Sequence, residues 1–124
     1  MLLNNLYTIQ QITETEKIIQ ASVLLQAGHP IFKGHFPEHP VLPGVCMLEM
    51  ITEITGSHLQ QPFRITSATM IKYLQMIDPN RDPLIQFEIG YEQGLKSVPA
   101  RGKIYSGTRV FMKFQLILAV LQKN

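Results

Sequence analysis

A chain with one cysteine, no long charge run and no extended apolar stretch excludes several functions before any motif is read. The single Cys46 rules out an intrachain disulfide and a cysteine-based metal site. It falls in an apolar segment, where a buried small hydrophobe is favoured over a nucleophile. The formal net charge is only +2, without the clustered basic stripe of a nucleic-acid protein. That modest basic excess still suits an acidic protein partner. No window approaches the roughly 20 consecutive apolar residues of a membrane span. Met1-Leu2-Leu3-Asn4-Asn5 lacks the basic and apolar regions of a signal peptide, so a cytoplasmic protein with no membrane or nucleic-acid partner is expected. Repeats and low-complexity tracts are missing too. The 124 residues fit a single domain, 1–124, with one sizeable core.

What is present concentrates in one stretch, Gly34-His35-Phe36-Pro37-Glu38-His39-Pro40-Val41-Leu42-Pro43-Gly44-Val45-Cys46-Met47-Leu48-Glu49. Pro37, Pro40 and Pro43 fix φ at every third position and push the preceding residues out of the helical region. The loop is therefore stiff. It runs into an apolar helix expected over Val45 to Ile54, with Pro43 near the first helical position and Gly56 as the C′ residue. His35 and His39 supply titratable imidazoles, and Glu49 supplies a carboxyl group one turn into the helix. The start of that helix adds free backbone N–H donors.

The remaining elements follow from hydrophobic period. Leu6 to Ile12 and Ile18 to Leu25 look like an antiparallel strand pair around a polar turn, Thr13 to Lys17. Glu49, Thr52 and Glu53 form the polar stripe of an otherwise apolar helix. Phe63 to Met76 reads as a strand, and Asp78-Pro79-Asn80-Arg81-Asp82-Pro83 as a turn. Ile85, Phe87, Ile89 and Tyr91 give the cleanest period-two alternation. Val98 to Tyr105 and Arg109 to Leu121 form a last hairpin, with Val110, Met112, Phe114, Leu116 and Leu118 on one face. This order predicts an α+β protein in which a curved antiparallel sheet of about five to six strands wraps one central helix.

The stretch from Gly34 to Glu49 resembles the hot-dog-fold 3-hydroxyacyl-acyl-carrier-protein dehydratases of type II fatty acid synthesis. Their His-Phe-Pro-Gly-His-Pro signature, a following Pro-Gly-Val and an acid on the helix are met by His35 to Pro40, Pro43-Gly44-Val45 and Glu49. Lys72-Tyr73-Leu74 leading to Pro79 and Asp82 is a faint version of the family's strand and turn. The resemblance implies that His35 and Glu49 are catalytic, in a homodimer whose partner protomer completes each site. It implies a substrate carried on the phosphopantetheine of acyl carrier protein, and no metal or other cofactor. Glu38 departs from the family's glycine, and Glu53 from its usual glutamine. The family's longer N-terminal segment has no clear counterpart before Leu6.

Elementary chemistry suits these roles. Removing water from a 3-hydroxyacyl thioester requires a base for the C2 proton and an acid for the leaving hydroxide. An imidazole such as His35 can be the base, and a carboxyl held against an apolar helix can be the acid. The enolate then needs donors, for which Gly44 N–H, beside Val45 at the helix start, is the candidate. Phe36, Pro37, His39, Pro43 and Glu53 are assigned to the supporting shell.

Blander readings stand beside these. His35 alone would be a loop histidine, and Glu49 alone a solvated helix residue. His29 and His58 read as surface residues without metal spacing. Arg64, Lys72, Arg81, Lys96, Arg101, Lys103 and Arg109 could dock an acidic carrier, or could simply solvate strand faces. The rival functions are a hot-dog thioesterase, an enoyl-CoA hydratase and a non-catalytic carrier-binding scaffold.

Overall fold

The computed structural model describes residues 1–33 and 39–121. Within them one helix and six strands follow the order β1 (Tyr7–Thr15), β2 (Ile18–Leu25), α1 (Gly44–Leu59), β3 (Phe63–Tyr73), β4 (Leu84–Tyr91), β5 (Ser97–Ser106) and β6 (Arg109–Val120). A short 3-10 turn spans Pro30–Lys33. The strands form one curved antiparallel sheet in the order β1-β2-β4-β5-β6-β3, and α1 packs against its inner face.

Alternation decides which face is buried. In β4, Ile85, Phe87, Ile89 and Tyr91 point into the core while Gln86, Glu88 and Gly90 point away. Strand β2 does the same with Ile19, Ala21, Val23 and Leu25. Met47, Met50, Ile51 and Ile54 of α1 fill the concavity. Burying four such side chains contributes about 1.5–3 kcal/mol each relative to exposure.

Bulges set the register. In β3 the pairing with β6 skips Thr66 and Thr69. Both hydroxyls then donate to β6 carbonyls, Thr66 to Ile117 at 3.1 Å and Thr69 to Gln115 at 3.0 Å. A shift between Ile104 and Tyr105 acts on β6. It places Phe111 and Met112 inside and leaves Val110 half-buried, so the inward face of β6 begins at Phe111 rather than at Val110.

The helix also departs from expectation. Pro43 is the N-cap, with extended dihedrals of −62° and 145°, and Gly44 is the first helical residue. The helix does not stop before Gly56. It continues to Leu59 and ends on Gln60, which adopts the left-handed conformation at φ 59°. Gly56 is needed for another reason: a Cβ there would lie 2.6 Å from the Gln61 carbonyl oxygen, where the chain turns back.

The loops close by local hydrogen bonds. Glu16 and Lys17, both at positive φ, make the two-residue β1–β2 turn. Asp78 Oδ1 accepts from Asn80 N at 2.8 Å, and its carbonyl accepts from Arg81 and Asp82.

Candidate functional site

The helix start offers donors. Pro43 carries no side-chain cap, and its carbonyl accepts from Cys46 N at 3.0 Å and Met47 N at 3.3 Å. Among the described residues, the amides of Gly44 and Val45 have no hydrogen-bond acceptor. They lie at the positive end of the helix dipole, where developing negative charge is stabilised. The Val45 side chain is 74% exposed. The space beside Gly44 is not empty: a Cβ there would meet the Tyr73 hydroxyl at 2.6 Å. Tyr73, at the end of β3 and half exposed, therefore covers the glycine with a movable side chain.

Glu49 lies on an exposed part of α1 while Glu53, one turn later, is buried. The reason lies in the N-terminal segment. Leu2 N donates to Glu53 Oε2 at 2.9 Å, and Leu3 N donates to Oε1 at 2.9 Å. The buried Tyr7 hydroxyl donates to Oε1 at 3.0 Å. Three donors thus replace the water that Glu53 loses. Thr52, the third residue of the expected polar stripe, is buried and donates to the Glu49 carbonyl at 2.8 Å.

These neighbours tune acidity. Glu49 is raised above the usual carboxylate range, first by desolvation, then by the adjacent Glu53 charge and by a hydrogen bond with Glu53. Burial pushes the Tyr7 phenol far above its ordinary value, and Glu53 pushes it further, so Tyr7 remains a donor. Burial also raises the Cys46 thiol, with Glu49 and Glu53 adding to the effect. A buried thiol of this kind is packing, as its apolar context indicated.

His35, Phe36, Pro37 and Glu38 lie outside the described residues, and His39 is exposed. His29 accepts from Ile31 N at Nδ1, 3.0 Å, and so caps the 3-10 turn. His58 is a part-exposed surface residue, as read, with a partner. Its Nε2 lies 2.8 Å from Glu14 Oε1, and the same oxygen accepts from the Tyr91 hydroxyl at 2.9 Å. Arg109 leaves the docking candidates as well, because it pairs with the buried Asp82 through both guanidinium nitrogens. Among the described residues no group of three His, Cys, Asp or Glu side chains could hold a metal ion. No helix in them is long and apolar enough to cross a membrane. A groove of about 910 Å³ crosses the outer sheet face, lined by Arg101, Lys103, Lys113 and Glu88 among others, away from Glu49 and Gly44.

Tyr7, Leu2 and Leu3 carried no signal in the sequence, since each acts on Glu53 from about fifty positions away. Tyr73 stood within a weak motif but without a role.

The ApeI-like family model, described as ApeI dehydratase, matches residues 11–107. The chain belongs to the ApeI-like dehydratase family. Within this family's wider relations, a segment of 46 residues is 41% identical to the 3-hydroxyacyl-[acyl-carrier-protein] dehydratase FabZ of Tolumonas auensis, covering 37% of the chain and 30% of that protein. A segment of 69 residues is 35% identical to the FabZ of Sorangium cellulosum, covering 52% of the chain and 44% of that protein. The ApeI-like chain thus spans less than half the length of these curated relatives. Among solved structures, the dehydratase heterocomplex ApeI:P of Xenorhabdus doucetiae superposes with a TM-score of 0.69 at 17% identity, over 90% of this chain and 96% of that one. A putative thioesterase of Lactococcus lactis superposes at 0.64 with 14% identity, over 97% and 95%. Both likenesses establish the hot-dog fold that the ApeI-like chain shares with them.

Proposed function

We propose that the protein dehydrates 3-hydroxyacyl thioesters carried on acyl carrier protein to trans-2-enoyl thioesters, using no metal or diffusible cofactor. The observation that carries this reading is Glu49: an exposed carboxyl group whose acid form is favoured by burial of its surroundings and by Glu53. A shift in this direction favours the protonated form that a general acid needs. His35 takes the C2 proton, the C3–O bond breaks, and Glu49 protonates the departing hydroxide to give water. Gly44 N–H, with Val45 N–H beside it, receives the enolate oxygen, and Tyr73 swings aside to admit it.

The site is assigned to a homodimer, with His35 of one copy facing Glu49 of the other. Two features support this. Strand β3 is an edge strand with eleven residues, and an unpaired edge can take a second strand. Val45, Tyr73 and Met76 add exposed apolar surface around the helix start and the end of β3. The ApeI:P heterocomplex and the FabZ relatives are consistent with a dehydratase that works in an assembly on carrier-bound chains.

The test follows the gain of a conjugated enoyl thioester with 3-hydroxyacyl-acyl-carrier-protein as substrate. Wild type turns over, and His35→Ala and Glu49→Gln each lose on the order of 10²-fold or more. After subunit exchange between the two inactive variants, mixed dimers carry one intact site and restore up to about a quarter of the rate. Release of free thiol instead would identify a thioesterase. A folded wild-type dimer inactive on short and long chains would leave carrier binding as the function.

A further inference from the structure

We propose that Tyr73 is a further catalytic residue: its hydroxyl donates a hydrogen bond to the thioester oxygen as the enolate forms, a third donor beside the Gly44 and Val45 amides. This deepens the proposed dehydration and rests on it.

Backbone pairing fixes where the side chain starts. Tyr73 closes β3 opposite Met112, a buried residue on the inner face of β6, and residues directly opposite in an antiparallel pair share a face. The next two amides, of Leu74 and Gln75, both donate to the Phe111 carbonyl, at 2.8 and 3.3 Å. The ring therefore leaves a held backbone on the side of α1. It meets the helix at its first residue. A Cβ built on Gly44 would lie 2.6 Å from the hydroxyl oxygen, 2.8 Å from Cζ and 3.0 Å from Cε1, so the polar end of the side chain is what rests on the glycine.

Direction and polarity decide the role. Each Cα–Cβ bond of a helix tilts toward the N-terminus. A hydroxyl resting where the Gly44 Cβ would be thus stands on the side to which the free Gly44 and Val45 amides point. Of the four tyrosines, Tyr7 donates to Glu53, Tyr91 to Glu14 and Tyr105 to Gln20. The Tyr73 hydroxyl has no hydrogen-bond partner among the described residues. Covering a glycine needs only a ring; the unpartnered hydroxyl supplies a proton donor where negative charge develops.

No proton leaves Tyr73 in this step. The side chain is 52% exposed, so the ring turns outward as the thioester oxygen takes the place of the hydroxyl, and the hydroxyl then donates to that oxygen. His35 takes the C2 proton, the electron pair of the C2–H bond passes into the enolate, and three hydrogen bonds hold the charged oxygen. The C3–O bond then breaks and the thioester carbonyl re-forms.

Tyr73→Phe keeps the ring and removes the donor. With 3-hydroxyacyl-acyl-carrier-protein, kcat falls about 10-fold to 10²-fold while KM and the melting temperature hold; one lost oxyanion donor costs on the order of 10²–10³-fold elsewhere, and here two amides remain. Infrared difference spectra of a bound trans-2-enoyl thioester labelled with ¹³C at C1 supply a second reading. The carbonyl stretch lies at lower frequency in wild type than in Tyr73→Phe, because the hydroxyl polarises the bond. A side chain that only covers the glycine would move neither quantity. An unchanged stretch, or an unchanged kcat in an active enzyme, overturns the proposal. A wild type that binds the labelled thioester with the Tyr73-dependent stretch but does not dehydrate its 3-hydroxy counterpart keeps the donor and removes the reaction. Dehydration without that dependence keeps the reaction and removes the donor, and a protein that binds no thioester overturns both.

Discussion

The Tyr7 hydroxyl donates to Glu53 across 46 positions of sequence and ties the first strand to the only helix among the described residues. Tyr7→Phe keeps the ring and leaves a carboxylate oxygen short of a donor. The expected cost is about 1.5–3 kcal/mol, the range for a hydrogen bond to a charged group. Glu53→Ala costs more, because it orphans Tyr7 and the Leu2 and Leu3 amides together. Urea unfolding with an unchanged m-value measures both.

Glu49 makes stability depend on pH. Its acidity is lower in the folded protein than in the unfolded chain, chiefly by desolvation. The native state therefore holds the proton longer, and the associated stability is present below the unfolded value and lost as pH rises through the folded one. Glu49→Gln removes this loss. The variant should melt with wild type at about pH 4 and above it at about pH 8. Coincident melts at both pH values would contradict the raised acidity.

Asp82 and Arg109 form an asymmetric ion pair, the side chains being 5% and 32% exposed. Arg109→Ala abandons a buried carboxylate and loses the contact over the Phe111 ring, at a cost of about 3–5 kcal/mol. Asp82→Ala leaves a guanidinium that can turn to water, and costs less. Chemical denaturation of the two variants should rank them in that order; equal costs would mean that Asp82 finds another partner.

Gly102 faces Ile89 across β4 and β5. A Cβ there would fall inside the Glu88 carbonyl oxygen and 3.2 Å from the Phe114 ring. Gly102→Ala should cost about 2–3 kcal/mol by forcing the strands apart. Gly28→Ala meets nothing within 4 Å and should change stability by less than about 0.5 kcal/mol. Thermal melts of the two variants separate close approach from loss of glycine freedom.

Much of the architecture was legible from local pattern. Ile18 to Leu25 forms the expected strand, and the alternation from Ile85 to Tyr91 lies in β4 as read. The Gly34 to Glu49 stretch identified the family. Boundaries set by packing were not legible. Gly56 carries the usual mark of a helix end, yet it serves a close approach inside the helix while Gln60 takes the left-handed turn. On β6 Met112, Phe114, Leu116 and Leu118 are buried on the face read from the sequence. The bulge at Phe111, however, puts that residue inside as well and breaks the alternation before it, so that Val110 is not buried with them.

The candidate site divides along the same line. Covalent spacing set Glu49 and Glu53 four residues apart and put Gly44 at the helix start, because a helix places such residues by its own period. Only the folded chain decided that Glu53 is buried and Glu49 exposed, that Arg109 is spent on Asp82, and that Tyr73 lies against Gly44. Those relationships join residues that no local periodicity connects, and the closure of the sheet around its helix selects them.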